Sequence, residues 1–145
     1  MADAAGRMSL LADAATRGNA PFNVGELWQV FSAEPVATTA VVDSVFSSTV
    51  NGLSISGAKF FGLWIQLSGT GTNDVQIQIL QSWNDTAANY AVPNTTGTVV
   101  SSHTGTSAGV YLITPTPMPY IRFRLTGSAS NSADTTATMY FWVQT

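Results

Sequence analysis

Cysteine is absent from this chain, and charge is almost absent with it. No disulfide can hold the fold, so the redox compartment is not written in the sequence. A single histidine, His103, and no thiol leave out the usual ligands of zinc. Charged residues are 9% of the sequence, against about a quarter in ordinary soluble proteins. Lys59 is the only lysine, and the net charge is −3. A nucleic-acid partner needs clustered Lys and Arg to displace counterions, so that class is excluded. No apolar run approaches the ~20 residues of a membrane-spanning helix. The brief stretch "MSLLA" after Arg7 is interrupted by Asp13 and Arg17, which predicts no secretory signal.

The chemistry of catalysis is equally thin. A Ser-His-Asp arrangement would need His103 near Ser101, Ser102 or Ser82 and a carboxylate such as Asp85. No G-x-S-x-G elbow exists to support it, and His103 in "SSHTG" reads as a loop residue. The carboxylates Glu26, Glu34, Asp43, Asp74, Asp85 and Asp134 mostly adjoin turn residues, where Asp caps backbone groups for structural reasons. Oxygen-rich loops at 72–74, 83–85 and 131–134 are the nearest approach to a calcium site, but no EF-hand spacing is present. The loops "GTGTND" and "GTSAG" open no helix and so offer no phosphate cradle. The expectation is a protein that is not an enzyme, with no catalytic or metal residue and no cofactor.

What the chain does contain is strand punctuation. At 145 residues it is long enough to bury roughly two thirds of its unfolded surface as one domain. Strand-like runs are predicted at 27–33, 38–50 (β-branched almost throughout), "LSIS", 59–68, 74–83, "TVVSSH" and "GVYLIT", and two more close the chain. Asn51-Gly52 marks a tight turn. The run 59–68 is nearly continuous in apolar residues, as a strand buried on both faces would be, with Trp64 in the core. The spacing predicts an all-β fold: an antiparallel β-sandwich or jelly roll of about eight strands over 26–145, preceded by an N-terminal arm and linker over 1–25. Within the arm "ADAAGR" returns as "ADAATR", and the alanines predict a short helix near 3–16, with a frayed terminus as the alternative.

Alternation sorts the faces of the last two strands. Ile121, Phe123 and Leu125 share one face; Tyr120, Arg122 and Arg124 share the other. In the final strand Ala137, Met139, Phe141 and Val143 oppose Thr136, Thr138, Tyr140 and Trp142. One set enters the core, so Tyr140 and Trp142 are covered within the monomer or contact another chain. Arg122 and Arg124 beside them are either solvated or hold a carboxylate across an interface. Trp83, at a strand end before "NDTAANY", is the aromatic best placed for an exposed site.

Two stretches, "VQIQILQSWNDTAANY" and "PYIRFRLTGSASNSADTTATMYFWVQ", resemble a pattern found in small β-sandwich structural proteins of tailed-phage virions. Ser82, Asn84, Asp85, Asn89 and Tyr90 stand in its loop, with Thr86-Ala87-Ala88 where the pattern has a glycine turn. Pro119, Tyr120, Ile121 and Arg122 open the following strand. The resemblance covers about the C-terminal half. It implies a virion protein, assembled in the host cytoplasm: a capsid decoration (cement) protein, or a tail or fibre component. Its implied partners are a major capsid protein or other virion proteins and further copies of itself, as a trimer. The candidate partner-binding residues are then Arg7, Met8, Leu10, Leu11, Arg17, Phe22, Arg122, Arg124, Tyr140 and Trp142. The candidate ligand loop is Trp83, Asn84, Asp85 and Tyr90, which a glycan-binding sandwich module would use.

Overall fold

The structure is a computed structural model, and it describes residues 7–9, 25–46, 50–55, 60–91, 98–113 and 118–144. Among the described residues ten strands follow one another: β1 (Arg7–Ser9), β2 (Gly25–Pro35), β3 (Val41–Asp43), β4 (Leu53–Ser54), β5 (Phe60–Ser68), β6 (Asp74–Ser82), β7 (Thr98–Thr104), β8 (Gly109–Ile113), β9 (Tyr120–Gly127) and β10 (Thr136–Gln144). A 3-10 turn, Ala87–Asn89, lies between β6 and β7. The strands form two antiparallel sheets. The first has the order β1-β2-β10-β5-β8; the second has β3-β9-β6-β7, with β4 also paired to β9. The fold is an all-β sandwich, as the spacing predicts.

Alternation explains why two layers form. Every second residue of β9 and of β10 is buried, and such a face is stable only against another apolar face. Phe123 of the second sheet and Phe141 of the first meet in the middle, ring centroids 4.8 Å apart and tilted by 58°. Phe141 also stacks on Trp28 and Phe61, at 6.2 Å and 6.1 Å. Leu63, Ile65, Ile77, Ile79, Ile121, Leu125 and Met139 fill the space around this aromatic centre.

Several strands depart from what the sequence predicts. Among the described residues of the run 38–50, the strand is confined to the three residues Val41–Asp43. Ser44 then closes on Phe123 by backbone and side chain, its hydroxyl accepting the Phe123 N–H at 2.9 Å. In β2, Val30 and Phe31 are buried in succession. The register against β10 slips on either side of Met139, and bulges of this kind turn two neighbours to one face. Ala33 at the bulge adopts a left-handed φ of 50°. Residues 7–9, inside the segment expected as helix, are a strand paired with Glu26–Trp28; the rest of that helix lies outside the described residues. His103 is no loop residue. It faces inward on β7, its Nδ1 2.8 Å from the Tyr111 hydroxyl and its Nε2 3.1 Å from the Ser107 carbonyl. The neutral tautomer with hydrogen on Nε2 satisfies both contacts, with Tyr111 donating.

Truncating Phe141 to alanine removes the ring common to three aromatic contacts, and chemical denaturation should find the fold less stable by about 3–5 kcal/mol.

Candidate functional site

Among the described residues the inner faces pack together as the apolar core, and the candidate side chains lie on the outer faces or at an end. The two outer faces differ. On the second sheet, β9 presents Tyr120, Arg122 and Arg124, opposite Ser82, Leu80 and Gln78 of β6. Asp43 of β3 lies beside Arg124 in register. Its carboxylate accepts from Arg124 Nε at 2.6 Å and from an Arg124 terminal nitrogen at 2.9 Å, and from Arg122 at 2.8 Å. The carboxylate that these arginines hold is therefore the chain's own. Arg124's hydrogen bond, with the charge of both guanidiniums and against partial burial, keeps Asp43 below the usual carboxylate range.

The same face continues into the candidate ligand loop. Arg122 lies over the Tyr90 ring, 5.0 Å from its centroid, a cation–π arrangement. Tyr90 is only 8% exposed, and its hydroxyl donates to Asp85 at 2.7 Å. Burial, reinforced by Asp85, pushes that hydroxyl above the usual tyrosine range, so it stays a donor. Asp85 in turn accepts the backbone N–H of Asn51 at 3.1 Å and of Gly52 at 2.8 Å. Asn84 accepts from the Asn89 amide at 2.9 Å. Of the four loop residues, then, Asp85 and Tyr90 latch the loop onto the Asn51-Gly52 segment, a bend ahead of β4 and not the tight turn the dipeptide predicts, and Asn84 braces it from within. Trp83 is 66% exposed on this braced loop.

The first sheet has a different outer face. Register places Leu27, Trp142, Gly62 and Leu112 in one row across β2, β10, β5 and β8, and Gln29, Tyr140, Trp64 and Val110 in the next. Tyr140 and Trp142 stand on the outer face, as alternation requires, and both are half-buried. Trp64 is not core: it is half-buried on this face and meets Tyr140 edge-on at 5.7 Å. The strand β5 is thus buried on one face only, with Gln66 and Ser68 exposed on the other. Trp142 lies across Gly62, where a Cβ would fall inside the indole; any larger residue there would lift the ring off the sheet. Val110 and Leu112 are 65% and 83% exposed. Gln29 apart, the rows form one apolar surface without a charged residue. Sequence reasoning finds two of its members and misses Leu27, Trp64, Val110 and Leu112, whose common face depends on pairing between distant segments.

Of the remaining candidates, Arg7 and Met8 lie in β1, where Met8 is paired with Leu27. Leu10, Leu11, Arg17 and Phe22 lie outside the described residues. The oxygen-rich loops are tied into the fold: Asn131 accepts the Asp74 N–H at 2.7 Å and donates to the Val36 carbonyl at 2.8 Å, while Asn73 accepts from Thr135 at 2.9 Å. Asp134 accepts from the Thr70 N–H and hydroxyl. No cluster of three metal-ligating side chains occurs among the described residues, and no helix among them is long and apolar enough to cross a membrane.

No protein-family model matches the chain, and no curated protein matches it. Among solved structures it is similar to the SPBc2 prophage-derived protein YomS, at 12% identity and a TM-score of 0.41 over 87% of this chain and 97% of that one. It is also similar to PirA, at 14% identity and 0.34 over 88% and 96%, and to a CBM4 structure, at 11% identity and 0.31 over 85% and 79%.

Two variants test the second sheet's outer face. Asp43's lowered pKa contributes stability above the unfolded-state value near 3.9, lost as pH falls through the folded value. The stability gap between the native chain and Asp43→Asn should therefore narrow as urea titrations move from pH 7 to about pH 3. Asp85→Ala leaves the Asn51 and Gly52 amides without their acceptor and should cost about 1–3 kcal/mol in the same assay at pH 7.

Proposed function

We propose that this chain is a structural protein of a bacteriophage particle, a capsid decoration (cement) protein that reinforces the head exterior through subunit–subunit contacts. The observation that carries this reading is the uncharged outer face of the first sheet, where Trp142, Tyr140 and Trp64 adjoin the exposed Val110 and Leu112. Aromatic and aliphatic side chains in one patch are what a protein–protein interface uses at its centre. A surface with so little charge puts up little Coulomb repulsion between copies, which suits many-copy assembly. The resemblance of the C-terminal half to small virion sandwiches points the same way.

In this reading the major capsid protein is the principal partner and the decoration unit is a trimer, with the N-terminal segment reaching a neighbour. Binding only to the assembled shell would stabilise that shell by mass action. A second reading, a tail or fibre component or a glycan-binding module, is favoured by one observation: Trp83 stands exposed on a loop braced by Asp85, Tyr90 and Asn84. A flat ring held in this way is a stacking platform for a sugar.

Peptide mass spectrometry of particles purified from cells that express the chain should find it at a fixed, many-copy ratio to the major shell protein. Deleting residues 1–20 should abolish that attachment. Absence from particles, together with glycan-array binding that Trp83→Ala removes, would replace this reading with the second.

A further inference from the structure

We infer that the edge of β8 that no other described strand pairs with joins β8 of a second copy, making the two first sheets one continuous sheet; this builds on the reading of that sheet's outer face as a protein-contact surface. A sheet edge exposes unpaired N–H and C=O groups that another strand can complete, and proteins usually blunt such edges. Among the described residues, the other edges carry such devices. The strand β1 has three residues, Arg7 among them; β3 and β4 have three and two, Asp43 among them. The strand β7 is broken by register shifts against β6.

The β8 edge has no such device. The strand β8, "GVYLI", has neither charge nor proline. Its register with β5 runs unshifted from Phe61↔Ile113 to Ile65↔Gly109, and β5 is the one strand it pairs with among the described residues.

The occupant follows from charge and symmetry. Neither β8 nor β5 has a charged residue, so a charged strand would find no counter-charge at this edge, whereas a second copy meets no like charge. A two-fold axis normal to the sheet through Tyr111 sets Tyr111 against its copy and Val110 against Leu112 of the second copy. Directly opposed residues of an antiparallel pair share a face. Each aromatic row would then continue across the seam: Tyr140, Trp64 and Val110 run into Leu112, Gly62 and Trp142 of the second copy. The contact is isologous and makes pairs; in a trimer held by other surfaces it links one trimer to the next. A five-residue seam is small beside the ~800 Å² per partner of a stable complex, which places it among weak contacts that act in multi-copy settings.

Sedimentation velocity on the full chain, from about 1 µM to several hundred µM, tests this. The mass should rise above its basal value with concentration, twofold where the basal unit is a monomer and further where it is a trimer with three such edges, and β8 amides should gain hydrogen-exchange protection in step. Leu112→Lys, at an 83% exposed position that leaves the core untouched, should hold the chain at its basal mass. Trp83→Lys, at a 66% exposed position elsewhere, should associate as the native chain does. Constant mass in the native chain overturns self-pairing and leaves the edge to a strand of another protein. Association of Leu112→Lys to the native extent, or without β8 protection, overturns it as well. Loss of pairing with particle attachment intact would fail this inference alone, and the reverse would fail the virion reading alone.

Discussion

The packing of Phe141 against Phe123 fixes nearly everything else about this molecule. It joins the sheets at their centres, through one strand from each. Because strand side chains alternate, committing Ala137, Met139, Phe141 and Val143 to the interior commits Tyr140 and Trp142 to the outside. A core of this kind cannot bury both faces of its central strand unless a third layer is added. Among the described residues no element lies over that face. The apolar outer surface is thus a geometric consequence of the same contact that stabilises the sandwich.

The two outer faces resolve this constraint differently. On the second sheet, polar and ionic groups close among themselves: Asp43 engages both arginines, Arg122 lies on Tyr90, and Tyr90 and two backbone amides converge on Asp85. Two donors are left over: Arg122 Nε and Gln81 Nε2 are buried without a hydrogen-bond partner among the described residues, each at a cost to stability. A face whose charges are matched internally has little need of an outside partner. On the first sheet nothing is matched in that sense, and the exposure rises from Trp142 toward Leu112 at the β8 edge. The asymmetry separates a self-satisfied side from one whose apolar area is still in water.

Local alternation makes the faces of the last two strands legible in the amino-acid sequence, but not their placement: β9 and β10 enter opposite sheets and form no hairpin. The buried and outward sets of β9 and β10, and the exposure of Trp83, follow from period-two patterning and turn chemistry alone. What is not legible depends on partners far away along the chain. Asp43 is 79 and 81 residues from the arginines it holds, and no local signal connects them. The β-branched run at 38–50 has strand propensity, but tertiary contacts of Ser44 with Phe123 end β3 early. Trp64 reads as core because its neighbours are apolar; Tyr140 of β10 gives it an outside place. The bulge in β2 shifts the inward phase between Trp28 and Phe31, which simple alternation misses. Residues 7–9 have alanine-rich flanks that favour helix, yet pairing with β2 makes them strand.

The central claim is that the outer face of the first sheet is a surface for other protein molecules. Hydroxyl-radical footprinting, read residue by residue in dilute protein and again in the assembled state, addresses it most directly. The account predicts strong labelling of Trp64, Val110, Leu112, Tyr140 and Trp142 in dilute protein and their protection on assembly, with Trp83 labelled in both. Equal labelling of that row in both states, with protection appearing instead on the Arg122–Arg124 face, would contradict it.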